Sequence, residues 1–506
     1  MRIEINRESH EPLYRQIAEQ IRLQVEAGIL EPGERLPSTR ELAEWLGVSR
    51  LVVKRAYELL REEGVLVSHV GRGSFVNPEF SRRRAEVRRP DRPKKLRAYF
   101  PAGQVSLTPM DWERYEQDHS AYLTLVELAR PDRFRGMVNF TSALVDSSTV
   151  PVERVLEVVR YQLSNFGPAV LRLNPLQGHE PLLEWLRREL EREGVDFSQN
   201  DLCIVTRFQH ALELVHFLMT MLRPGGVVCE VPTYQQFVNF ITVSGVPVYT
   251  CPVDGDGVVL ERLEEILRRR EVSYLYLQPN FHNPTGGCLS GKRRAGLLEL
   301  LSRYRVPLLE DDTLRMVKLN GRHFYPLKAD DTGGYIFLAG SFSKVLSVGF
   351  NVGYLVFPKA LTDAVLRVKR CLEPGPSLLI QASFWEFVRR GYLEKHLRKM
   401  HREYKRRRDA FLEMVEKHFP PEVEVSYPEG GLTVWVRLPE SLKEEEVIMT
   451  ARAERVVVPP SSFFTPGYRP IGGFRLSFGR LPMDELAEGT RRLGKVLRRL
   501  VREVSA

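Results

Sequence analysis

Apolar residues recur four apart at Leu13, Ile17, Ile21 and Val25, which predicts a one-faced amphipathic helix ended by Gly28. A second helix is expected after Ser38, with Glu41 three residues on as the other half of a capping box and Leu42, Ala43 and Leu46 inward. Gly47 permits a sharp turn. Ser49 then starts a third helix that turns Val53, Ala56, Tyr57 and Leu60 inward, so the pair reads as a helix-turn-helix. The next stretch, VLVSHVGRGSFV (65–76), reads as two strands around His69–Gly73, a wing with Arg72 at its tip.

From about residue 138 the pattern changes. Short apolar runs (LCIVT, GVVCEV, VPVYTC, SYLYLQP, VPLLEDD, YIFLAGS) alternate with helical ones (QHALELVHFLMTML, LERLEEILRRR, RRAGLLELLSRY). Such alternation predicts an α/β fold around a mainly parallel central sheet, whose ligands collect just beyond strand C-terminal ends. Four residues with chemical potential stand there: Tyr234 after GVVCEV, Asn283 after SYLYLQP, Asp311 after VPLLE and Lys344 after YIFLAGS.

A length of 506 residues exceeds one ordinary core, so two or more domains are expected. A 43% hydrophobic content without a long uncharged apolar run predicts a soluble protein with no membrane partner, and the first residues show no secretory pattern, which points to the cytoplasm. Five scattered cysteines, none in a C-x-x-C spacing, argue against a disulfide framework and a zinc ribbon, and no metal site is expected. The net charge of +9 is unevenly spread: residues 1–77 hold 11 basic against 12 acidic groups, and residues 78–97 hold 9 against 3. That basic segment, RRRAEVRRPDRPKKLR, has little to bury and reads as a linker. The expected division is a small domain over 1–77, a linker over 78–104 and a large domain over 105–506.

The outward side of the third helix offers Arg50, Lys54 and Arg55 near its N-terminal end, where a recognition helix meets base edges and phosphates. The segments PLYRQIAEQI, GERLPSTRELAEWLGVSR and EEGVLVSHVGRGSFV, in this order, resemble the winged helix-turn-helix of the GntR family of bacterial transcription regulators. The resemblance implies operator-DNA contacts by Arg35, Ser38, Arg40, Ser49 and Arg50, and by the Gly71-Arg72-Gly73 wing. Val52 stands where the family usually has a threonine.

The large domain resembles fold-type I aminotransferases, through NPLQG (174–178), NPTG (283–286), SFSK (341–344), GGLTVWVRLP (430–439) and FRLSFG (474–479) in the family's order. With the GntR-like head, the chain resembles the MocR subfamily of regulators. The resemblance implies pyridoxal 5'-phosphate (PLP) as cofactor. Lys344 would hold its aldehyde covalently, Asp311 would face the pyridine nitrogen, Tyr234 would stack on the ring and Asn283 would meet its phenolic oxygen. Ser341 and Ser343 would hold the phosphate, and Arg475 would clamp a ligand carboxylate.

Three positions depart from the pattern. The phosphate loop, usually of small residues, is TRFQHAL, with Arg207 and Phe208; Asn351 replaces a phosphate-binding arginine; Thr313 and Leu314 stand where a tyrosine is expected. Arg207 is expected to restore the lost cation. The resulting expectation is a homodimeric transcription regulator that senses an amino compound through PLP. The alternatives are an active aminotransferase bearing a DNA-binding head, and a regulator whose large domain has lost PLP.

Overall fold

The computed structural model describes residues 3, 5, 12–26, 30–69, 73–80, 134, 136–320, 324–346 and 348–505. The chain divides into two compact units, residues 1–111 and 112–506. Gly28, Gly71, Arg72 and the expected linker segment 82–97 lie outside the described residues.

In the small unit α1 (Leu13–Glu26), α2 (Thr39–Leu46) and α3 (Arg50–Glu62) precede a hairpin of β1 (Leu66–His69) and β2 (Gly73–Val76). The four-residue spacing holds: Ile17, Ile21 and Val25 are buried against Leu42, Ala43, Val53, Ala56, Tyr57 and Leu60. Leu46, expected inward, is only half-buried, because it ends the short α2 where the chain turns away. The capping box is formed: the Glu41 amide donates to Ser38 Oγ at 3.2 Å and the Ser38 amide donates to Glu41 Oε2 at 2.7 Å. Gly47 closes α2 at φ 60°, a left-handed conformation that costs glycine little. Tyr57 ties α3 to the segment before α2 by donating its hydroxyl to the Pro37 carbonyl at 2.8 Å.

The strands of the large unit are β3 (Val138–Asn139), β4 (Asn200–Val205), β5 (Gly226–Val231), β6 (Val248–Asp254), β7 (Gly257–Val258), β8 (Val272–Leu277), β9 (Leu308–Asp311), β10 (Ile336–Ser341), β11 (Gly353–Pro358), β12 (Glu424–Val425), β13 (Thr433–Arg437), β14 (Val456–Val457) and β15 (Gly473–Ser477). Eight form one sheet in the order β4-β11-β10-β9-β8-β5-β6-β7. The run β10-β9-β8-β5-β6 is parallel; β11 pairs antiparallel with both β10 and β4, so that β4 runs with the parallel strands, and β7 pairs antiparallel with β6.

These strands read as unbroken apolar runs because both faces are covered. Phe337 and Ala339 pack on one side with Leu212 and Val215, while Ile336 packs on the other with Leu297 and Leu301. The described helices of this unit begin with α4 (Val152–Phe166), α5 (Glu180–Arg192), α6 (Phe208–Leu222) and α7 (Gln235–Ser244), of which α6 and α7 supply residues to the cavity described below. A smaller antiparallel sheet, β12-β13-β15, carries Arg475. Among the described residues no helix is long and apolar enough to cross a membrane.

Candidate functional site

On the small unit, Arg35, Ser38, Arg40, Ser49, Arg50, Lys54 and Gly73 are all exposed. Ser49 caps α3 with its backbone while its hydroxyl makes no capping bond, which leaves that oxygen open to a partner. Arg50 Nε lies 3.4 Å from Thr39 Oγ1, and Lys54 pairs loosely with Glu58 at 3.8 Å along α3. Arg55 is engaged elsewhere, its guanidinium 4.7 Å from the centre of the Tyr14 ring. Gly73, at φ 110°, lies against Arg35: a Cβ there would come 3.3 Å from Arg35 Nε, so a glycine lets the hairpin approach that arginine. Leu51, which the sequence reading passed over, is an exposed apolar side chain between Arg50 and Val52, of the kind that packs on a thymine methyl.

In the large unit a cavity of about 580 Å³ opens at the strand ends, within the size range of small-molecule sites. Lys344, Ser341, Ser343, Tyr234, Arg207 and Phe208 line it, together with Leu144 and Thr313. Each arrives as the topology dictates. Lys344 ends a 3-10 turn directly after β10, Tyr234 caps α7 after β5, and Arg207 caps α6 after β4.

Lys344 is half-buried and donates from Nζ to the Ala143 carbonyl at 2.8 Å. Burial, the nearby Arg475 charge and, in opposition, Asp311 leave its pKa lowered to about 8, so an appreciable fraction is free amine at neutral pH. Tyr234 is pushed up to about 12, chiefly by burial, and stays a neutral ring. Phe208 packs edge-on to it, with ring centres 6.2 Å apart.

Also in the lining, Ser341 Oγ donates to Ser343 Oγ at 3.0 Å and accepts from the Ser343 amide at 3.2 Å. Arg207 is exposed beside them and stands at the N-terminus of α6, where the helix dipole also favours an anion. Asn239 Oδ1, on the α7 wall of the cavity, is buried without a hydrogen-bond partner among the described residues.

Three expected residues are not in the lining of this cavity. Asp311, Asn283 and Arg475 lie buried beside it. Arg475 Nη1 donates to Asn283 Oδ1 at 3.1 Å, Nη2 donates to the Thr141 carbonyl, and Nε is buried without a partner among the described residues. Burial pulls its pKa down to about 10, so it remains a cation at neutral pH. Both cations meant for a ligand are thus held by carbonyls of one segment, Thr141 and Ala143.

Asp311, the last residue of β9, accepts from the Tyr276 hydroxyl at 2.8 Å, Gln278 Nε2 at 2.6 Å, and the Thr313 amide and hydroxyl at 3.0 and 2.7 Å. Burial raises its pKa against the pull of those donors. Tyr276 and Gln278 escaped the sequence reading. The only signal was one amide in the apolar run SYLYLQP. Thr313, expected merely as a lost tyrosine, instead holds the Asp311 carboxylate.

The donor set fits PLP at three points: a partly neutral lysine, an aromatic wall, and two serines with Arg207 at a helix N-terminus. The unpaired Arg475 Nε and Asn239 Oδ1 leave polar capacity for a ligand. Asn351 adds no cation; its backbone is left-handed at φ 47° and its Oδ1 has no partner among the described residues.

Residues 137–493 match the aminotransferase class I and II family, and residues 13–76 match the bacterial regulatory proteins of the gntR family. The chain is 26% identical to the HTH-type transcriptional regulator YisV of Bacillus subtilis, over 98% of both chains. It is also 26% identical to the probable rhizopine catabolism regulatory protein MocR of Rhizobium meliloti, over 96% of this chain and 94% of that one. The crystal structure of a multiple substrate aminotransferase from Thermococcus profundus is 28% identical and superposes with a TM-score of 0.70, covering 80% of this chain and 98% of that one.

Proposed function

This chain belongs to the aminotransferase class I and II family and carries a gntR-family domain ahead of it, the make-up of the MocR regulators, and we propose that it is a cytoplasmic transcription regulator that senses an amino compound. The head binds operator DNA, with Ser49 at the cap of α3 and Arg50 and Lys54 on that helix in the major groove and Arg35, Ser38 and Arg40 on the backbone; Gly71, Arg72 and Gly73 serve as the wing. The large domain holds PLP, and a homodimer presents two heads to repeated half-sites.

The observation that carries this reading is one chain joining a helix-turn-helix, its recognition side exposed, to a cavity with a half-buried lysine of lowered pKa. When bound, PLP supplies an aldehyde that amines condense with, which selects amino compounds. Lys344 would hold that aldehyde, Tyr234 would cover the ring, and Ser341, Ser343 and Arg207 would hold the phosphate. Arg475, once released from the Thr141 carbonyl, can clamp an effector carboxylate in bidentate fashion. The effector alters DNA binding only by favouring one arrangement of the protein over another.

The test is reduction of the PLP-treated protein with borohydride, followed by peptide mass mapping. A pyridoxyl group on Lys344 is the expected result, and its absence with operator binding intact refutes the cofactor. A second reading, a regulator that has lost PLP, draws on Phe208 in the phosphate loop and on Asn351. A working aminotransferase is less supported, since Thr313 and Leu314 stand where the family's tyrosine is expected and relatives matched over nearly the whole chain are named as regulators.

A further inference from the structure

The inward direction of α3 is set by Val53, Ala56, Tyr57 and Leu60, all buried. At about 100° per residue, Leu51 falls almost directly opposite their mean direction, at the centre of the outward side. It is 72% exposed, more than any other large apolar side chain among the described residues of the small unit. A single exposed leucine is ordinary on most surfaces. This one is the second residue of α3, in the turn that a helix-turn-helix sends into the major groove, and its Cα–Cβ bond tilts toward that end.

The neighbours of Leu51 narrow what it can meet. Arg50 and Lys54 flank it, both exposed. Arg55 lies over the Tyr14 ring, Val52 packs partly against the core, and Glu58 faces Lys54 at 3.8 Å and Arg61 at 4.0 Å. No other apolar side chain of α3 is exposed, so the outward side of the helix offers another protein little to bury. A leucine side chain has neither donor nor acceptor, so it can hold no phosphate and no polar atom of a base edge. The apolar feature that a base pair turns to the major groove is the C5 methyl of a pyrimidine.

Resting on the reading that α3 enters the major groove of operator DNA, we propose that Leu51 reads the C5 methyl of one pyrimidine per half-site, beside the base or phosphate that Arg50 meets. Thymine carries that methyl, and so does 5-methylcytosine; cytosine and uracil lack it. Burying one methyl against the leucine tightens binding about fourfold, and about 16-fold when both half-sites of a dimer carry it. No charge takes part, so this preference does not change with salt, whereas the contacts of Arg50 and Lys54 weaken as salt rises. Leu51 thereby supplies sequence preference at a position where the flanking cations supply mainly affinity.

The experiment uses the full-length protein and a pool of random duplexes enriched for binding. Each thymine of the enriched sequence is replaced in turn by deoxyuridine, which removes the methyl alone, and fluorescence anisotropy at several salt concentrations gives the affinity of the parent and of Leu51→Ala. The expected result is one thymine per half-site at which uridine weakens the parent about fourfold at every salt concentration. Leu51→Ala should bind the thymine duplex about fourfold more weakly than the parent and no longer distinguish it from the uridine duplex. Exchanging cytosine for 5-methylcytosine at that position should tighten binding by the same factor, in the parent only. A uridine effect that persists in Leu51→Ala overturns the proposal, because it then arises from the shape of the duplex. So does a duplex that the parent binds with no uridine-sensitive position. Enrichment of no sequence at all overturns the operator-binding reading of the head as well.

Discussion

The depressed Lys344 pKa makes a quantitative prediction about its reactivity toward aldehydes. With a pKa of about 8, about one-tenth of the amine is free at pH 7; an ordinary lysine near 10.5 is free in about one molecule in 3,000. Lys344 should therefore condense about 300-fold faster at pH 7 than an unperturbed lysine of equal access. The assay is the initial rate of condensation with pyridoxal, which lacks the phosphate, followed by absorbance and assigned to Lys344 by peptide mapping. The rate should rise tenfold per pH unit below about 8 and level off above it. Burial contributes most to the shift, Arg475 adds to it and Asp311 opposes it. Arg475→Met should thus raise the midpoint and Asp311→Asn should lower it. A rate still climbing at pH 10 in the parent, or both variants moving the midpoint the same way, would refute the reasoning. The linked effect on stability has a definite sign. Between about 8 and 10.5 the unfolded chain holds this proton and the folded chain does not, so the burial cost is fully present below 8 and relieved as pH rises through that window.

Four further outcomes are expected. Arg207→Ala should weaken PLP binding at least tenfold in equilibrium dialysis, and an unchanged affinity would show that this exposed cation does not serve the phosphate. Asn351→Arg should tighten PLP binding, and because the backbone there is left-handed at φ 47° it should cost on the order of 1 kcal/mol, read as a lowered unfolding temperature in calorimetry. Tyr57→Phe leaves the Pro37 carbonyl without its 2.8 Å donor and should destabilise the head by about 1 kcal/mol, seen as faster hydrogen exchange in α3 with the large unit unchanged. Arg50→Ala should relax base preference if the side chain reads a base; if it meets a phosphate, the salt slope of binding should fall by about 1 at every sequence.

The small unit was legible almost residue by residue. Its contacts are local: Ser38 and Glu41 sit three apart, and the buried positions of α1 and α3 follow the helical period, so nearest neighbours in sequence are neighbours in space. The strand order of the large unit was not legible. Apolar runs show that a strand is covered on both faces, yet nothing in them says that β11 stands antiparallel between β10 and β4. The candidate residues Lys344, Tyr234, Arg207, Ser341 and Ser343 converge because each ends or closely follows a strand of one sheet. Asp311 and Asn283, placed by the same rule, and Arg475, inside β15 of the smaller sheet, stand beside the cavity rather than in its wall.

By itself the amino-acid sequence determined the elements, the two-part organisation and the chemical types gathered at the strand ends, because periodicity and strand-end position are properties of short segments. Only the tertiary structure decided what those groups face. Tyr276 of β8 and Gln278 just beyond it reach the Asp311 carboxylate at the end of β9 at 2.8 and 2.6 Å, contacts between residues 35 and 33 apart in the chain. In the same way the cations of Lys344 and Arg475 rest on carbonyls about 200 and 330 residues away in the chain, at Ala143 and Thr141. Which partner a polar group meets is a matter of ångströms between distant segments, and no pattern along the chain carries that information.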